Sequence, residues 1–296
     1  MLNVNEKHEK CLECNIIPCI NLYRKVNEHA GGELYVILEH NKPTVYPPCH
    51  LGILIYVICQ LLNEVLDSVS LPLYIQCVRD LKASIFLTLT GHYRTAIQIL
   101  RSVIEMYLAA LYFDEKYHRA RNDEEREIVT EQIKKFYEEK YKIPEQEYRE
   151  LFPKEKRIKR YLDYGYLIEW LFKKKVIDGK TRNSLEKLMG TLNKYIHTRG
   201  GPYLTVLKPH CPACPAAVKL DPKEYEYCAQ LIQTTCAHLL DILLTKINTK
   251  KPNVKETLMY LIGLEKLEKE INKKLIFSKK LRKTINRIFF SLCCDP

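Results

Sequence analysis

The sequence predicts a mainly all-α protein: a helical bundle with a small irregular or hairpin amino-terminal segment and a cysteine-containing loop. Three observations lead there. From His50 to Ile247 apolar residues recur at spacings of three and four, the period of a helix that buries one face. Breakers mark the turns of that span at Pro72, Pro144, Pro153, Gly179 and Gly200-Gly201-Pro202. A hairpin is expected only in ELYVILEHNKPTVY (33–46), where apolar-rich segments flank Asn41-Lys42-Pro43.

The elements follow in order. Residues 1–49 read as an irregular segment carrying Cys11, Cys14 and Cys19. A first helix is expected over 50–67, a second over 73–89, and a long apolar one over 91–117. Residues 118–155 form a charged helical arm. Its thin apolar stripe is Ile128, Ile133, Phe136 and Tyr137, the pattern of a solvent-facing helix. A helical pair follows at 157–176 and 181–197, separated by Asp178-Gly179. The loop with Cys211 and Cys214 then leads to a well-patterned helix over 225–247. Three regions result: the segment 1–49, a helical core 50–248, and a basic helical region 249–296.

With 296 residues, 46% apolar and 28% charged, the chain has the composition of a globular protein. Its first residues lack the apolar run of a secretory signal, and no apolar run approaches the ~20 residues that span a bilayer. The expected location is therefore the cytoplasm, with peripheral membrane association. Scarce Gln with abundant Lys, Ile, Glu and Tyr matches the usage of thermophilic prokaryotes. Nucleotide loops of the Walker and G-x-G-x-x-G types are absent, as are G-x-S-x-G and H-E-x-x-H.

Charge is concentrated at one end. Residues 246–287 hold thirteen Lys and Arg against four Glu, an excess of nine within a chain of net charge +11. From Lys273 to Arg287 there are seven basic residues and no acid. Phe277, Leu281, Ile285, Ile288, Phe289 and Leu292 recur there mostly at helical spacing, giving an apolar stripe opposite a basic face. Such a segment is an interfacial membrane helix, a nucleic-acid arm or a terminal helix docked on its own domain. The anion-binding candidates are Lys266, Lys269, Lys273, Lys274, Lys279, Lys280, Arg282, Lys283 and Arg287.

Cysteine spacing supplies a second candidate. Cys11-x2-Cys14 and Cys211-x2-Cys214 are two thiolate knuckles, and two such knuckles can close a tetrahedral four-thiolate zinc site. The alternatives are a disulfide or four independent thiols. A structural zinc is the only cofactor expected.

The third candidate lies on two helices. Arg94, Gln98, Arg101 and Glu105 share one face of the long helix, and the later helix ends in Asn193 and His197. The Arg-x3-Glu pair in ILRSVIEMYL, followed by a helix ending in a polar-x3-His motif, resembles the HEPN superfamily of helical bundles. The resemblance covers roughly residues 50–245 at the level of helix order. It implies a prokaryotic antiviral defence setting, a protein partner in a defence complex and homo-oligomerisation. It also implies that Arg101, Glu105, Asn193 and His197 form the degenerate counterpart of a ribonuclease site. Active members carry Arg before the polar residue, where this chain has Leu192. An Arg there would supply the cationic fork for phosphate, and the His would transfer the proton. The expectation is therefore a non-enzymatic effector or adaptor that binds an anionic surface, with anionic phospholipid ahead of nucleic acid. An RNA-binding protein or ribonuclease is the alternative.

Overall fold

The computed structural model describes residues 47–62, 64, 68–89, 91–155, 157–196, 222–247, 251–259 and 283–286. The expected hairpin at 33–46 lies outside them. Every regular element among the described residues is helical, as the apolar periodicity predicts. The elements are α1 (Pro47–Leu62), α2 (Leu71–Leu89), α3 (Tyr93–Arg119), α4 (Asp123–Tyr137), α5 (Glu145–Leu151), α6 (Tyr164–Lys173), α7 (Gly179–Ile196) and α8 (Pro222–Leu243). Short helical stretches also occur at 252–259 and 283–286.

Several boundaries follow from local chemistry. Pro72 falls in the first turn of α2, where its missing N–H removes no helical hydrogen bond. Asn122, Asp163 and Asp178 cap α4, α6 and α7: their side-chain oxygens accept from the backbone N–H groups of Glu125, Tyr166 and Thr181 at 2.9, 2.8 and 2.7 Å. Each satisfies a donor the helix itself leaves unpaired. At the other ends of α4 and α6, Glu139 and Lys175 take left-handed backbone angles (φ 56° and 61°), a conformation usually given to glycine.

The chain divides into two compact units. The first comprises the described residues up to Glu64, Val78–Leu100, and those from Leu192 onward. Helix α8 is its central element. From Cys228 to Leu243 nearly every position is buried, including Gln233, Thr235, His238 and Asp241. A helix covered on all sides is a core helix rather than a surface one. It packs on α1, whose Leu54, Ile55, Ile58 and Leu61 are buried at helical spacing. Several polar groups of this unit are paired within it. Ser84 donates to the Ala96 carbonyl at 3.1 Å, and Thr88 Oγ1 lies 3.1 Å from Cys228 Sγ. Glu64 accepts from Lys251 Nζ at 2.7 Å and from Asn253. The Lys251 hydrogen bond holds the Glu64 carboxyl below its ordinary range.

The second unit comprises the described residues up to Cys77 from Ser68, together with Arg101–Thr191. Its core is aromatic. Tyr112 packs edge-on against Trp170 at 4.7 Å and Tyr166 at 6.1 Å, and Phe113 against Tyr141 at 5.5 Å. Asp114 gathers the start of α2, accepting from Ser68 Oγ at 2.6 Å, Tyr74 Oη at 2.9 Å and the Ser70 N–H at 3.2 Å. The charged stretch 118–155 is packed into this unit, with Val129, Ile133, Tyr141, Ile143 and Tyr148 buried. The buried stripe of α4 is Val129 with Ile133. Ile128, assigned to that stripe from sequence, is 52% exposed.

Among the described residues, α3 alone is long and apolar enough to cross a membrane by length and composition. In this fold 67% of its most apolar stretch is buried inside the protein, which is the behaviour of a core helix.

Candidate functional site

The helix-face grouping of Arg94, Arg101, Glu105, Asn193 and His197 meets four different outcomes. Arg94, in the first unit, donates from Nε to the Tyr195 carbonyl at 3.2 Å. This places a cation at the carboxyl-terminal turn of α7, where the helix dipole favours positive charge. Arg101 and Glu105, in the second unit, pair with each other along α3, Nε to Oε1 at 3.0 Å. Burial lifts the Glu105 carboxyl above its ordinary value against the pull of Arg101. Asn193 belongs to the first unit and is half-buried. His197 lies outside the described residues. Leu192, at the position where the resemblance would place Arg, is fully buried in the first unit. That position serves packing, so the chain presents no cation from it.

The zinc candidates Cys11, Cys14, Cys211 and Cys214 lie outside the described residues. Within those residues Cys59, Cys77, Cys228 and Cys236 form no disulfide, and no three His, Cys, Asp or Glu side chains are grouped to hold a metal. Burial pushes the thiols of Cys228 and Cys236 up to about 12, so both are protonated and inert at neutral pH.

Of the basic candidates, Lys266, Lys269, Lys273, Lys274, Lys279, Lys280, Arg282 and Arg287 lie outside the described residues, and Lys283 lies within them. The helical turn 283–286 shows how this sequence meets the first unit. Lys283 and Asn286 are exposed, whereas Thr284 and Ile285 are 2% and 0% exposed. Thr284 Oγ1 donates to Asp241 Oδ1 on α8 at 2.9 Å. Ile285 belongs to the apolar stripe for which membrane insertion, a nucleic-acid arm and docking on the chain's own domain are the sequence alternatives, and its side chain is buried in the protein. Hydrophobic burial and a buried hydrogen bond hold it there.

The second unit also contains a cleft of about 340 Å³ between α3, α4, α5 and α6, within the size range of small-molecule sites. Val129, Leu151 and Trp170 form its apolar wall, with the exposed Ile128 beside them. At one end stands a polar cluster centred on Glu147. Its Oε1 accepts from Tyr112 Oη at 2.8 Å and Tyr166 Oη at 2.7 Å, and its Oε2 accepts from Lys116 Nζ at 3.2 Å. Lys116 also donates to Tyr112 Oη at 3.0 Å. Because the Tyr112 proton is directed at Glu147, Tyr141 is the donor in its 2.9 Å contact with Tyr112. Burial, reinforced by the Glu147 charge, raises the Tyr166 and Tyr112 hydroxyls well above the ordinary tyrosine value. All three tyrosines are therefore neutral donors at neutral pH.

Gln132 is the unusual member of this lining. It shares a face of α4 with Val129 and Phe136, three and four residues away, beside the buried Ile133. Its Oε1 is buried and no donor of the described residues reaches it. At the rim, Lys174 Nζ lies 5.7 Å from the Trp170 ring centroid, and no carboxylate among the described residues pairs with it. Sequence reading missed this cleft. The legible signal was a glutamine at the centre of a narrow apolar stripe, and placing the stripe on Ile128 rather than Val129 hid it. Comparison with protein families, with curated proteins and with solved structures found no match.

Proposed function

We propose that the protein is a non-enzymatic helical adaptor that binds an anionic phospholipid surface through its basic carboxyl-terminal region. The observation that carries this reading is the 283–286 turn, where Lys283 faces solvent while Thr284 and Ile285 are buried in the first unit. A segment seated by its apolar side turns its cations outward, and the sequence around it supplies seven basic residues without an acid. Near an anionic leaflet each is worth about 1 kcal/mol, a total sufficient to hold a protein at a membrane without a spanning helix. With Ile285 withdrawn into the core, attachment is mainly electrostatic and insertion is secondary. The ribonuclease alternative is weaker because Leu192 is a core residue.

Co-sedimentation with anionic and neutral liposomes tests the reading, with single- and double-stranded nucleic acid as competitors. Wild type should pellet with anionic liposomes only. The combined change Lys279→Glu, Lys280→Glu, Arg282→Glu and Lys283→Glu should abolish pelleting without altering helical content. Indifference of wild type to anionic liposomes, or unchanged binding after charge reversal, refutes it. Preferential binding of nucleic acid at the same ionic strength would transfer the region to the nucleic-acid reading.

A further inference from the structure

The cleft of the second unit has a chemistry unrelated to the basic tail. Three of its features specify a ligand. The apolar wall of Val129, Leu151 and Trp170 suits an aromatic ring, which an indole meets by offset stacking or edge contact. The buried Gln132 Oε1 is an acceptor that the protein leaves without a donor. A buried acceptor of this kind is costly unless something donates to it. The rim carries Lys173 and Lys174, and the Lys174 ammonium has no carboxylate partner among the described residues.

The neighbouring charges sharpen the choice. Glu147 is neutralised by Lys116 and two tyrosine hydroxyls, and Glu125 by Arg121 at 2.6 Å. Glu150, the third carboxylate of the lining, stands among four cations, Lys116, Arg119, Lys173 and Lys174, so the lining as a whole favours an anion. A ligand with a positive group would meet Lys174 at the mouth, whereas an anionic group gains there. A ring N–H or amino group meets Gln132, the ring itself meets the apolar wall, and the anion meets Lys174.

We propose that this cleft binds a small heteroaromatic anion carrying an N–H donor, of the nucleoside monophosphate class. Gln132 reads the donor edge of the base, Trp170 and Val129 contact the ring, and Lys174 holds the phosphate.

The chain has a single tryptophan, and it lines this cleft as Trp170, so selective tryptophan emission reports occupancy directly. The full-length protein is titrated with the adenine, guanine, cytosine and uracil nucleoside monophosphates, the corresponding nucleosides, and inorganic phosphate. Saturable quenching by at least one monophosphate is expected, with its nucleoside about tenfold weaker because a charge-assisted bond is lost. Lys174→Gln, a change at the rim, should erase that difference between monophosphate and nucleoside. Gln132→Leu should weaken both by about tenfold at unchanged helical content. The proposal is overturned if no monophosphate gives saturable quenching at millimolar concentration. It is equally overturned if inorganic phosphate competes as well as the nucleotide, or if both variants bind as wild type does.

Discussion

Glu147→Leu removes the carboxylate on which Tyr112, Tyr166 and Lys116 converge. The leucine fills similar volume, so the loss is mainly polar. Tyr166 Oη loses its acceptor, and Lys116 loses its ion pair while keeping Tyr112 Oη at 3.0 Å. Breaking a fully buried ion pair costs about 3–5 kcal/mol, because one charge remains uncompensated. Here the Lys116 and Glu147 side chains retain 17% and 20% exposure, so water recovers part of that cost. A loss of about 3 kcal/mol follows, with the orphaned tyrosine hydroxyl accounting for about 1 kcal/mol of it. At the scale of a domain of ~150–250 residues, this lowers Tm by about 6–12 °C. Glu147→Gln keeps an oxygen for the tyrosines and loses the charge facing Lys116, so it should cost about 1–2 kcal/mol. Lys116→Met should cost a similar amount, because two hydroxyls still hold Glu147. The assay is thermal and urea unfolding followed by circular dichroism and by emission of Trp170, whose ring is 4.7 Å from Tyr112. A Glu147→Leu protein within about 0.5 kcal/mol of wild type, the scale of an exposed ion pair, would refute the reasoning. So would a cost for Glu147→Gln equal to that of Glu147→Leu.

Other consequences are open to direct measurement. Tyr74, Tyr107, Tyr112 and Tyr166 have hydroxyls raised well above their ordinary value, chiefly by burial. Their unfolded counterparts ionise near pH ~10, so this contribution to stability is intact below that pH and is lost as pH rises above it. Tyrosinate absorbance from these residues should therefore appear together with loss of helical signal; complete tyrosine ionisation with native helix content would contradict it. Cys228 and Cys236, pushed up to about 12 by burial, should resist alkylation in the native protein and react after denaturation, as read by peptide mass mapping. Native labelling at either would refute their assigned burial. Lys175→Gly should stabilise by up to about 1 kcal/mol, since the exposed Lys175 holds φ 61° after α6. A destabilised Lys175→Gly protein in urea unfolding would show that the lysine side chain contributes more than its backbone costs.

The all-α class and most helix positions were legible in the sequence because helix formation is governed by local quantities; α5 lies between Pro144 and Pro153, where the breakers predict a connection, and the helix expected over 157–176 begins only at Tyr164. Apolar spacing of three and four, capping residues such as Asp163 and Asp178, and the breakers between them act within a few residues. The charge concentration in 246–287 is likewise a property of the chain alone. The candidate sites depend on which faces meet, which is not local. Leu192 could be read from sequence as a gap in a catalytic motif, and its burial identifies it as a core residue. Ile285 fits a membrane-facing stripe by spacing, yet the hydrogen bond from its neighbour Thr284 to Asp241 spans 43 residues. The same holds for the cleft of the second unit. Glu147 meets Tyr112 and Tyr166 across separations of 35 and 19 residues, and Gln132 becomes a buried acceptor only when α4 turns its Val129–Ile133 face inward. Periodicity names the residues that want burial. Only packing decides which polar group is carried in with them and which partners it then meets.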